Sequence, residues 1–147
     1  MRFCLQLRIE SDAGEIVTTH DVAQIERHSL RPEEVGLTLA EAKQMLGGLQ
    51  GLIVQEQLAG YVTEQSRCFE CGRRLARKGQ HEIVFRTVFG ELRLPSPRLY
   101  TCSCRQAAKA SFSPVAQQLP ERTAPELAYL EVKFAALMPY GVTVDIL

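Results

Sequence analysis

Four of the five cysteines fall in two close pairs, and that spacing limits the possible folds more than any other feature of the chain. Cys68 and Cys71 stand in "CFECG"; Cys102 and Cys104 stand in "CSC", after an intervening stretch rich in β-formers. In a C-x-x-C-G knuckle the turn directs both sulfurs at one point. The glycine that follows, Gly72, supplies the positive φ that lets backbone N–H groups face the thiolates. Strands between the pairs can bring the two halves together, as in a zinc ribbon. Four thiolates at ~2.3 Å around Zn²⁺ form a closed tetrahedral site. Such a site is structural, because no coordination position remains for water or substrate. His81 is an alternative ligand, since C-x-C is tighter than the usual second C-x-x-C. Iron–sulfur ligation and a redox CxxC fit less well, because their cluster spacings and βαβ setting are missing. Cys4 lies alone on the polar face of a strand, where a lone cysteine is usually a small packing residue.

The compartment follows from what surrounds the cysteines. "MRFCLQLRIESD" has no apolar signal region, and no apolar run approaches the ~18 residues of a membrane helix. A reducing, cytoplasmic setting is expected, with no membrane association. There, clustered cysteines are metal ligands rather than disulfides.

Charge points to the same segment. Lys and Arg number 17, as do Asp and Glu, so the overall balance argues for no particular partner. The distribution is uneven. Residues 1–66 carry five basic against ten acidic side chains, residues 67–109 carry ten against three, and residues 110–147 carry two against four. The positive excess coincides with the paired cysteines. A metal-held hairpin would present Arg73, Arg74, Arg77 and Lys78 from one loop, and Arg86, Arg93, Arg98 and Arg105 from strands. These residues can neutralise backbone phosphates. They can also serve as a soluble surface paired with the acidic N-terminal part.

Periodicity gives the frame. Phe3, Leu5, Leu7 and Ile9 alternate with polar residues, so residues 2–20 predict a hairpin with "SDAG" as its turn. Thr38 and Glu41 form a capping box. They open a helix over about 38–61 whose stripe is Leu39, Ala42, Leu46, Leu49 and Ile53, widened by Met45 and Leu52. Gly47, Gly48 and Gly51 weaken its middle by about 1 kcal/mol each relative to Ala; they suit either close approach of another helix or local flexibility. Two β-rich runs around Gly90 predict a hairpin or a bulge. Pro95 and Pro97 then argue for an edge or an irregular strand leading to the second cysteine pair. A polar connector follows. Thr123 and Glu126 form a second capping box, with Pro125 in the first turn. Leu127, Leu130, Phe134 and Leu137 form the buried stripe of a helix over 124–138, which Pro139 and Gly141 end. Thr143 is a candidate cap for a further element. The expected fold class is α+β, with a hairpin-and-helix region (1–66), a zinc-ribbon-like module (67–109) and a C-terminal linker and helix (110–147).

The strings "GLTLAEAKQMLGGLQ", "CFECG", "TVFGELRLPSPRLYTCSC" and "SPVAQQLPERTAPELAYLEVKFAALMPYGVT" occur in an order that resembles the N-terminal region of ISKra-type insertion-sequence transposases. The resemblance spans nearly the whole chain. It implies a zinc-binding, DNA-recognising region placed ahead of an RNase H-like DDE catalytic domain. Cys68, Cys71, Cys102 and Cys104 fall where that family places its zinc knuckles, and "PYGVT" resembles the approach to a helix-turn-helix-like segment. The acidic triad of such an enzyme would lie beyond Leu147, so no Asp or Glu here is cast as catalytic. The implied partner is DNA at the ends of the element. A module left over from a transposase could keep that binding role; the alternative is a regulator acting through a homodimer or a protein partner. No Ser/His/Asp set, phosphate loop or open metal site suggests an independent enzyme.

Overall fold

The computed structural model describes residues 1–104, 110–138 and 142. Its elements confirm the α+β class: strands β1 (Arg2–Glu10), β2 (Ile16–Glu26), β3 (Arg77–Thr87), β4 (Gly90–Tyr100) and β5 (Ser111–Phe112), with helices α1 (Leu39–Gln65), α2 (Pro114–Gln118) and α3 (Pro125–Leu137). The chain divides into two compact units, Met1–Val54 and Gln55–Leu147, with the division inside α1.

In the first unit β1 and β2 pair antiparallel, Leu5 opposite Ala23 and Leu7 opposite His20. The hairpin extends to Glu26, six residues further than its sequence pattern suggests. The turn sits at Gly14, whose φ of 79° suits glycine. Leu5, Leu7 and Ile9 are half-buried, but Phe3, expected beside them, is exposed. The capping box forms as predicted. The Glu41 N–H donates to Thr38 Oγ1 at 3.2 Å, and the Thr38 N–H donates to Glu41 Oε2 at 2.9 Å. Arg27 adds a bidentate grip on the same carboxylate at 2.9 and 2.6 Å, and donates to the Gly36 carbonyl at 2.7 Å. One arginine thus joins the end of β2, the connector and the first turn of α1.

α1 runs four residues past its expected end. Ala42, Met45, Leu46, Leu49 and Leu52 form its half-buried stripe, whereas Leu39 is 75% exposed and Ile53 40% exposed. Gly48 approaches a strand rather than another helix, since a Cβ there would lie 3.8 Å from the Val22 carbonyl. No residue of Met1–Val54 is fully buried. Among the described residues no helix is long and apolar enough to cross a membrane.

The second unit holds a sheet in the order β3-β4-β5. Gly90, at φ 119°, closes the β3–β4 hairpin. Ile83 stands opposite Leu94 and Phe85 opposite Leu92. Ile83, Leu94, Leu99, Val115 and Leu127 make the buried core, with α2 packed on β4 and α3 on β3. Pro95 and Pro97 lie within β4, the middle strand. β5 pairs only with Leu99 and Tyr100, so the prolines occupy a stretch that β5 leaves unpaired, and their missing N–H groups break no ladder bond. Buried Ser96 is satisfied by Ser113 at 2.5 Å, and the Ser113 hydroxyl also donates to the Pro97 carbonyl at 3.1 Å.

The second capping box does not form. The N-cap of α3 is Ala124, with no side-chain cap bond. Thr123 instead bridges in parallel to Arg86, with the Arg86 N–H donating to the Arg122 carbonyl and the Ala124 N–H to the Arg86 carbonyl. Pairing with β3 outcompetes the local cap because its two hydrogen bonds satisfy four backbone groups at once. Leu137, expected in the stripe of α3, is 71% exposed. The expected polar connector contains β5 and α2. Pro139, Gly141 and Thr143 lie outside the described residues.

The Arg27 guanidinium and the Thr38 N–H lower the Glu41 carboxyl to about 2. A depressed carboxylate stabilises the fold above its unfolded value of ~4.3, and that contribution is lost as pH falls from there through about 2. Glu41→Gln removes the effect. Chemical denaturation at pH 6 and pH 2.5 should show a smaller acid loss of stability in the variant than in the wild type. Equal losses would show that the Arg27–Glu41 pair is not the acid-sensitive contact.

Candidate metal centre

The first pair of sulfurs is built by a short hairpin. The Leu75 N–H donates to the Ser66 carbonyl, Arg67 bridges Arg74, and the Cys68 N–H donates to the Arg73 carbonyl at 2.8 Å. Gly72 turns the chain at φ 69°, and its N–H donates to the Cys68 carbonyl at 2.8 Å. This is the knuckle that the glycine predicts. The second pair leaves the end of β4. Thr101 anchors it, its N–H donating to the Ala110 carbonyl at 2.9 Å and its Oγ1 accepting from the Ala110 N–H at 3.1 Å. One further bond joins the two halves: the Tyr100 N–H donates to the Ala76 carbonyl at 2.9 Å.

The result is convergence. Cys68 Sγ lies 3.5 Å from Cys104 Sγ, and Cys71 Sγ lies 3.5 Å from Cys102 Sγ. All four sulfurs lie within 4.8 Å of one another. A regular tetrahedron of thiolates at ~2.3 Å from a metal has edges of about 3.8 Å, so the arrangement fits a four-coordinate ion with small adjustments. None of the four is in a disulfide. Cys68 is buried, Cys102 half-buried, and Cys71 and Cys104 are exposed. His81 stands on β3 opposite Ser96 and is not one of the clustered groups. Cys4 is exposed on β1, near Gln24.

The local electrostatics favour metal capture. The backbone N–H groups of Cys71 and Glu70 point at the Cys68 sulfur and lower its thiol to about 6. This sulfur is therefore already a thiolate near neutral pH, the form that binds metal. Cys104 moves the opposite way, because its hydrogen bonds to Cys102 and Cys68 hold its proton. A bound cation would displace that proton. Glu70 Oε2 lies 3.5 Å from Cys104 Sγ. Its proximity went unread in the sequence, although its place inside the knuckle was a usable signal.

The basic residues sort into two groups. Arg93 pairs with Glu82 at 2.9 Å. Arg86 donates to Thr123 Oγ1 at 3.2 Å and stands opposite Glu91. Lys78 donates to Ser111 Oγ and lies 5.7 Å from the Tyr100 ring centroid. Arg73, Arg74, Arg77 and Arg98 are exposed and make no side-chain hydrogen bond or ion pair with another described residue. Arg73 and Arg74 ride the knuckle; Arg77 and Arg98 stand at the β3–β4 end nearest it, opposite Leu99 and Gly79. Arg67, not singled out in the sequence, joins this set as an exposed residue next to Cys68. Arg105 lies outside the described residues.

No family model, curated protein or solved structure matches the chain, and nothing in those comparisons identifies a transposase.

The purified protein should carry one metal ion per chain by elemental analysis. Cys68→Ser should lose most of it and Cys4→Ser none. Equal metal content in both variants would contradict the assignment. Gly72→Ala should weaken the knuckle by about 1–2 kcal/mol, because a Cβ is strained at positive φ. The reading is the free metal concentration needed for half-saturation, which should rise about tenfold.

Proposed function

We propose that this chain is a zinc-holding, non-catalytic DNA-binding module, related to the N-terminal region of ISKra-type transposases and suited to the ends of an insertion element. The observation that carries the reading is the coincidence of two features at one end of one sheet. Four sulfurs converge there, and so do Arg73, Arg74, Arg77 and Arg98, which have no acidic partner among the described residues. Zinc is the proposed ion because an all-thiolate tetrahedral site suits it and needs no redox chemistry. A closed thiolate shell gives the metal a structural role. It stiffens the knuckle so that Arg73, Arg74 and Arg77 meet a phosphate backbone at little further entropic cost. Arg93 contributes less, since binding phosphate would mean giving up Glu82. The cysteine setting also suits a reducing, cytoplasmic location.

The zinc-loaded protein should bind DNA with an affinity that falls steeply with salt. Replacing Arg73, Arg74 and Arg77 together by Ala should reduce the slope of log K against log salt by about 3. Arg93→Ala should leave that slope nearly unchanged. A triple variant with unaltered affinity and slope would refute the proposed surface.

The lack of any fully buried residue in Met1–Val54 favours a second reading, in which this unit associates with another copy or a protein partner. On that reading the measured mass should rise with concentration. A strict monomer with cooperative unfolding of both units would count against it.

A further inference from the structure

Beside the knuckle lies a cleft of about 610 Å³, within the size range of small-molecule pockets. Its apolar walls are Phe69, Leu75 and Phe112; Gln65, Thr101 and Gln117 supply hydrogen-bonding groups. Arg67 and Glu64 also line it. Phe69 is 82% exposed and sits between the two ligands of the first pair. An aromatic ring this exposed leaves apolar surface accessible to a ligand.

We infer that this cleft receives one unpaired base of a DNA strand, stacked on Phe69, so that the module prefers single-stranded or frayed DNA ends to continuous duplex. The inference rests on the DNA-binding reading and names the form of DNA that the same surface takes. Three observations support this occupant. The ring offers a flat apolar face, which every base can stack upon whatever its sequence. The surrounding arginines (Arg67, Arg73 and Arg74) supply the cations that follow a phosphate backbone. The amide side chains of Gln65 and Gln117, with the Glu64 carboxylate, can meet the hydrogen-bonding edge of a base that has left its partner. A base inside a duplex cannot use such a cleft, because its faces are covered by its neighbours and only its edges show in the grooves. The cationic groups moreover ride on a hairpin and strand ends rather than on a helix that could enter the major groove.

The test uses the full, zinc-loaded chain and three probes of one sequence: a duplex, a single strand, and a duplex with a single-stranded tail. Each single-stranded region carries 2-aminopurine. Single-stranded and tailed probes should bind more tightly than the duplex, with quenched 2-aminopurine emission. Phe69→Ala should weaken them about tenfold, as loss of one base stack does, while leaving duplex binding nearly unchanged. Phe69→Tyr should restore both affinity and quenching. Metal content of each variant controls for folding. Equal affinity for all three probes, with Phe69→Ala acting on none selectively, would overturn the inference and leave the DNA-binding surface standing. Failure of every probe to bind at low salt would overturn that surface as well.

Discussion

Four sulfurs held within 4.8 Å of one another are the constraint on which the second unit depends. Thiolates this close repel, and thiols this close satisfy one another poorly. A divalent cation resolves both problems. The need is strong because the apolar core among the described residues of this unit is small, with few side chains such as Leu99 and Val115 almost wholly withdrawn from water. A segment of this kind folds with help from the free energy of metal binding. The hydrogen bonds agree with that role. Those of the knuckle, the Tyr100–Ala76 link and the Thr101–Ala110 clasp all lead to the sulfurs rather than to the apolar core.

Charge follows from the same constraint. A divalent ion held by four thiolates would leave two negative charges, and Glu70 would add another beside Cys104. The basic excess of residues 67–109 would offset this field. The offset does not require arginines to project from the knuckle without acidic partners, and that is where the structural and the binding roles of the basic residues part. Arg93 and Arg86 are tied into the ribbon. Arg73 and Arg74 are not, and they remain available to an outside anion.

Much of this was legible in the residues. The C-x-x-C-G spacing fixed the knuckle because only glycine takes φ 69° without strain. The Thr38–Glu41 box marked the start of α1 because both of its bonds are local. What escaped notice depended on contacts distant in sequence. Thr123 carries the signature of a cap, yet bridges to Arg86 because an edge of β3 was open to it. β5 and α2 are too short for periodicity to reveal. Pro95 and Pro97 signalled an edge, and their position is one on the side that β5 leaves bare. The hydrophobic period named most of the covered faces of β1 and α1, but it could not tell which of their residues stay exposed. That difference depends on what covers the face, as the exposed Phe3 and Leu39 show.

The end of the β3–β4 ribbon is proposed to carry a closed, four-sulfur metal clamp. X-ray absorption fine structure at the edge of the bound metal tests it most directly. Four sulfur neighbours at ~2.3 Å, with no nitrogen or oxygen in the first shell, is the predicted result. A mixed shell with fewer than four sulfurs would contradict it, since it would mean an open site or a different ligand set.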